Sequence, residues 1–205
     1  MTNHSGPFDI ADVDVADGVE RIDLGSLLIP AITGIDVQVQ VDEATGNVVQ
    51  ATASIQGGSV QLQAYAAPKS GGMWSDVRPQ IMGSISGGQG LVEEATGSFG
   101  VELRAQVPSG DGKGGLQPAR FVGVDGPRWF LRAVFLGAAA REGESAVRLE
   151  ELVAGCVVVR GAEAMPVGTP IPMRLPNMPT QTETPGPVRP PLSPFERGPE
   201  ITETR

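Results

Sequence analysis

A serine, threonine or cysteine becomes a nucleophile only beside a base that can take its proton. The sequence has one histidine, His4, and one cysteine, Cys156. His4 sits in an acidic N-terminal stretch that reads as a mobile arm. Cys156 opens the apolar run CVVV, where a thiol is expected to be a small buried hydrophobe. Gly83-Ser84-Ile85-Ser86-Gly87 has the outline of a nucleophile elbow but places Ile85 where the serine belongs. The Gly-rich stretches also fail as phosphate cradles. Gly87 to Gly90 has no lysine and follows a helix, and Lys113 lacks the Ser or Thr that must come next. Asp12, Asp14 and Asp17 approach a calcium-loop spacing but put Ala16 at the fifth position and Asp17 at the sixth. Glu93-Glu94 and Glu150-Glu151 are adjacent pairs, whose side chains point apart on a strand or a helix. A single cysteine allows neither an intrachain disulfide nor a thiolate zinc cluster. The expectation is no catalytic residue, no metal site and no cofactor.

Two patterns point to binding instead. In the segment Asp125 to Leu136, Trp129, Leu131, Ala133 and Phe135 share one strand face, and Arg128, Phe130 and Arg132 share the other. An aromatic between two guanidiniums suits an anionic or aromatic partner. The same arginines would equally pair with Glu102 or another acid across the sheet. The second pattern is a polar sheet face rich in amides and poor in charge: Gln38, Gln40, Gln50, Thr52, Ser54, Gln61, Gln63, Tyr65 and Gln106. Depleted charge marks the centre of a contact surface, although solvated sheets also use Gln and Thr. The candidate interaction surface is therefore Arg128, Phe130, Arg132, Gln38, Gln40, Gln61, Gln63 and Tyr65.

The elements that must position these residues follow from periodicity. Ile35, Val37, Val39 and Val41 alternate with polar residues, as do Val49 to Ile55 and Val60 to Ala66. Three alternating runs joined by short turns make an antiparallel meander. Val77, Ile81 and Ile85 recur at helical spacing after Ser75 or Asp76, either of which can cap. Val101 to Val107 alternates again. Arg120 to Val124 and Arg128 to Leu136 follow as strands around an Asp125-Gly126 turn. A second helix carries Val147, Leu149, Leu152 and Val153 on its apolar side and ends at Gly155. Cys156 to Val159 reads as a strand buried on both faces. The fold class is α+β: an antiparallel sheet meander with two helices packed on one face. Eleven of the eighteen prolines lie between Pro166 and Pro199, which predicts a disordered proline-rich tail. The expected organisation is an acidic flexible arm over residues 1–20, a single domain over 21–175 and the tail over 176–205.

The net charge of −9 over 205 residues disfavours nucleic acid and anionic membranes as partners. The excess is concentrated at the start, where residues 1–34 hold six acids and one arginine. No apolar run reaches the length of a signal peptide core or a membrane span, so a cytoplasmic protein is expected.

The motifs RIDLGSLLIPAI, SGGMWSDVR, DGPRWFLRAVFLG, VVVRG and PMRLP, between Arg21 and Pro176, resemble a family of actinobacterial proteins of unknown function. The resemblance implies an intracellular protein and supplies no site residues to carry over. The layout of elements is also similar to small secretion-chaperone-like α+β domains, an analogy of fold alone. The leading expectation is a non-catalytic protein-binding or adaptor domain with an unidentified protein partner. The alternative is an enzyme or sensor that clamps a small anion through Arg78, Arg128 or Arg132. A third reading gives the tail segment Pro185 to Pro191 the part of a polyproline ligand.

Overall fold

The computed structural model describes residues 6–43, 46–109 and 115–175. His4, Lys113 and the proline-rich tail lie outside the described residues. The alternating runs form strands: β1 (Phe8–Asp9), β2 (Arg21–Asp23), β3 (Leu27–Pro30), β4 (Asp36–Val41), β5 (Val48–Ile55) and β6 (Gly58–Ala66). Helix α1 (Met73–Gly87) leads to β7 (Leu91–Gly97), β8 (Gly100–Pro108), β9 (Leu116–Gly126) and β10 (Trp129–Gly137). Helix α2 (Glu144–Ala154) and β11 (Val157–Val158) follow. The protein is thus α+β. Among the described residues no helix is long and apolar enough to cross a membrane.

The large sheet is antiparallel, with strand order β4-β5-β6-β10-β9-β8-β7. It consists of two meanders, β4–β6 and β7–β10, joined where β10 lies along the whole of β6 from Trp129↔Ala66 to Gly137↔Gly58. A small mixed sheet, β1-β11-β3-β2, sits beside it. The stretch after β11 returns to the large sheet. Ile171 N–H donates to the Ala64 carbonyl and Met173 bridges to Val48. Both side chains are buried, which ties the end of the domain to its centre.

The two faces of the large sheet are covered by different helices. Leu149, Leu152 and Val153 of α2 pack with Ala51, Leu62, Leu131, Ala133 and Phe135. Trp74, Val77, Ile81 and Met82 of α1 pack with Leu103, Phe121 and Phe130. Phe130 and Leu131 are neighbours on one strand and therefore point to opposite faces. The sheet class was read correctly, but the helices do not share a face. The reason is that the β8–β10 strands carry apolar residues at odd and even positions alike, so each side offers a surface to bury.

Three further differences from the sequence reading have physical causes. The β9–β10 turn consists of Pro127 and Arg128, because Gly126 already pairs with Trp129. Arg128 takes φ +64 after a proline, as the third position of a type II turn requires. Helix α1 starts after Gly72, and its Trp74 N–H donates to the Asp125 carboxylate at 3.2 Å in place of a local cap. The acidic arm is docked at its start. β1 pairs in parallel with β11, and Asp9 Oδ2 accepts a 2.7 Å hydrogen bond from buried Trp129 Nε1. An indole N–H in a core needs an acceptor, and only a chain from outside the two meanders supplies one here.

Phe130 is 1 % exposed and stacks on Trp74 with ring centroids 6.0 Å apart. Phe130→Ala should therefore cost about 3–5 kcal/mol of stability. Arg132→Ala, on a half-buried neighbour, should cost about 1 kcal/mol. Urea unfolding of both variants checks this. Equal and small losses would contradict the packing described.

Candidate functional site

The apolar side of helix α2 packs over the β5, β6 and β10 part of its face, and toward β7–β9 the helix makes polar contact, through Glu150 to Arg120. At that end lies a cleft of about 950 Å³. Its floor is strand residues Glu93, Arg104 and Arg120, and its roof is Arg141, Glu142 and the first turns of α2. Pairing register places Glu93 opposite Arg104 and Arg104 opposite Arg120. Two guanidiniums facing each other across a strand pair repel. Glu102, two residues before Arg104 and on the same face, resolves the conflict. Its Oε1 accepts from Arg104 Nε at 3.0 Å and its Oε2 pairs with Arg120 Nη1 at 3.3 Å. Gly97 makes this possible, since a Cβ there would lie 2.0 Å from the Glu102 carboxylate.

Arg120 is the hub. The same Nη1 lies 2.5 Å from Glu150 Oε1 on α2, and Ser98 Oγ donates to Glu150 Oε2 at 2.6 Å. The guanidinium rests on the Phe135 ring, 4.2 Å from its centroid. The network thereby ties the β7–β8 turn, β8, β9, β10 and α2 together. Glu102 and Arg120 are 1 % and 7 % exposed, so both charges are out of water and stable only as partners. Toward the rim, Arg104 Nη1 is 3.7 Å from the exposed Glu142. The hydrogen bond to Glu102 raises the pKa of Arg104, whose charge is therefore fixed. The cleft walls are apolar. Leu91 is 66 % and Val147 53 % exposed, with Pro118, Ala140 and Ala146 between them.

The residues singled out from sequence fall elsewhere. Gln38, Gln40, Gln61, Gln63, Tyr65 and Arg132 do share one sheet face, the one opposite α2. Gln38 and Gln40 are exposed, while the other four are half-buried. Arg132 Nη2 donates to Gln63 Oε1 at 2.8 Å, Tyr65 O–H donates to the same oxygen, and Arg132 lies over the Tyr65 ring. Burial raises the Tyr65 pKa. Phe130 is on this face too, but beneath α1, so it cannot be the exposed aromatic the pattern suggested. Arg128 is in the turn and leaves the set altogether. Arg78 pairs with Glu94 at 3.1 Å. None of Arg78, Arg128 and Arg132 lines the cleft. Val147 was assigned to the apolar side of α2 and instead faces the cleft. Glu102, Arg120, Glu150 and Ser98 were missed. Their one signal is Arg120 itself, a lone charge inside the apolar strand Ala119 to Val124.

Among the described residues no group of three His, Cys, Asp or Glu side chains is placed to hold a metal ion. Cys156 is fully buried, its thiol donating to the Leu152 carbonyl, and burial pushes its pKa up.

The family described as protein of unknown function (DUF3710) matches residues 6–182. The chain belongs to that family, in agreement with the resemblance of its motifs. No curated protein and no solved structure matches it.

Arg120→Ala strands two buried carboxylates and should destabilise the fold by about 3–5 kcal/mol. The triple replacement Glu102→Leu, Arg120→Met and Glu150→Leu should recover most of that loss, because a buried ion cluster contributes little beyond an apolar one of equal volume. Denaturant titration of the two variants separates a loss of pairing from a loss of packing. Cys156 should resist iodoacetamide at pH 8 in the folded protein and react fully in urea, as followed by mass spectrometry.

Proposed function

We propose that this member of the DUF3710 family is a non-catalytic protein-binding module of the cytoplasm, with the cleft beside α2 as its contact surface. The carrying observation is the combination of exposed Leu91 and Val147 with a floor of charges already neutralised by one another. Apolar walls gain from being covered, whereas a fixed polar floor sets register and selects among partners. Proton transfer is a poor match for this floor. A general acid or base must reach its substrate, and the Glu102 and Glu150 carboxylates are turned to Arg120 instead. The buried, unpaired thiol of Cys156 suits a reducing compartment.

A small anionic ligand is the second reading, favoured by Arg104 and Arg141 at the cleft. Against it, the lining carries Glu93, Glu142 and Glu150 beside its three arginines, so an anion meets as many like charges as opposite ones. The amide-rich face of β4 and β6 remains a second surface for a partner protein.

A photo-crosslinking residue at Leu91 or Val147 should trap a protein in the native host. The same residue at Ser86, exposed on α1, should not. Adding Val147→Asp, a change at an exposed site with little effect on folding, should abolish trapping from position 91. Equal yields at all three positions would refute the cleft. Thermal stabilisation by small anions, with no trapped protein, would favour the second reading.

A further inference from the structure

The large sheet has two free edges, and they are built differently. β7, at one end, carries adjacent carboxylates Glu93 and Glu94 and lies next to α1. β4, at the other, is Asp-Val-Gln-Val-Gln-Val, six residues with no proline, no lysine and a single charge at its start. Sheet proteins ordinarily blunt an open edge with such residues, because unpaired N–H and C=O groups template another strand. Among the described residues no strand pairs with the outer side of β4.

The geometry points to a second copy of this chain as the occupant, through antiparallel β4–β4 pairing about a two-fold axis at Gln38. The register follows from alternation. Pairing about residue 38 sets Gln38 against Gln38 of the partner subunit, Val37 against Val39 of the partner subunit, and Asp36 against Gln40 of the partner subunit. Every valine then falls on the α2 side, continuing the buried face, and every amide on the other. A slip by one residue in the axis, to Val39, would instead set Asp36 against Asp42 of the partner subunit, which like-charge repulsion disfavours. Isologous pairing needs this self-complementarity of one patch. Charge agrees. A chain of net charge −9 repels its copy, and the residues around the proposed axis, Gln38 and Gln40 with Gln50, Thr52, Ser54 and Gln61 beside them, carry no charge. The result is a continuous sheet of twice seven strands, with a cleft at each outer end.

A six-residue edge is a small interface, so the dimer should be weak, with a dissociation constant on the order of 10–100 µM. Sedimentation of the full chain between about 1 and 500 µM should show monomer passing to dimer over that range. Gln38→Lys and Gln38→Glu, both at an exposed position that leaves the fold intact, should each stay monomeric. An equimolar mixture of the two should dimerise again, and added salt should weaken it. A wild-type chain monomeric throughout would overturn the inference, leaving the edge to another strand. A dimer that Gln38→Lys does not affect would overturn it equally, since the contact would lie elsewhere.

Discussion

Strand β10 is buried on both faces, and most of the architecture follows from that. Its odd residues, Trp129, Leu131, Ala133 and Phe135, need a cover on one side, and Phe130 needs one on the other. A single helix cannot reach both. The chain supplies α2 for the first and α1 for the second. The strand also needs neighbours on both edges, because a doubly buried backbone has no water for its N–H and C=O groups. β6 and β9 provide them and so join the two meanders into one sheet. Trp129 adds a further demand. Its indole N–H is out of reach of water and is met only by Asp9, which draws the acidic N-terminal segment into the fold.

The cleft is a consequence of how α2 ends this arrangement. Eleven residues of helix span about 16 Å, less than the width of a seven-stranded sheet. Beyond its reach the face changes from apolar to charged, and Arg120 marks the border. An arginine there can rest its flat face on Phe135 while its edge collects Glu102 and Glu150. Such a cluster adds little net stability over a packed apolar one, since removing three charges from water offsets most of their attraction. What it does provide is position. Glu150 fixes the rotation of α2 over the sheet, and Glu102 holds two repelling arginines in line. The floor of the cleft is held in place by these pairings.

The opposite half of the molecule follows another logic. The amide-rich face of β4, β5, β6 and β10 has one polar cluster, Gln63 with Tyr65 and Arg132, and is otherwise simple. Its interest lies at the edge, where valines and amides alternate along β4 with a single charge at its start. The cleft and the edge are at opposite ends of the strand order. Occupation of one leaves the other free, and pairing at the edge would present two clefts at once.

By itself the sequence determined what depends on local period and chemistry. The β4–β6 meander, both helices, the buried thiol and the α+β class were legible because alternation and helical spacing are written residue by residue. The docking of Ile171 was legible as an apolar residue among prolines. The tertiary structure alone decided which side is inside. Phe130 and Glu102 each sit at a position that alternation assigns to a solvated face, and both are buried, Phe130 beneath α1 and Glu102 on the other side of the sheet between Arg104 and Arg120. Period two states that neighbours point apart, but not which of the two directions meets a helix. Arg120 finds Glu150 across 30 positions of chain and Trp129 finds Asp9 across 120. No local pattern encodes those distances. The candidate site is made of such meetings, and it became visible only when the strands were in register.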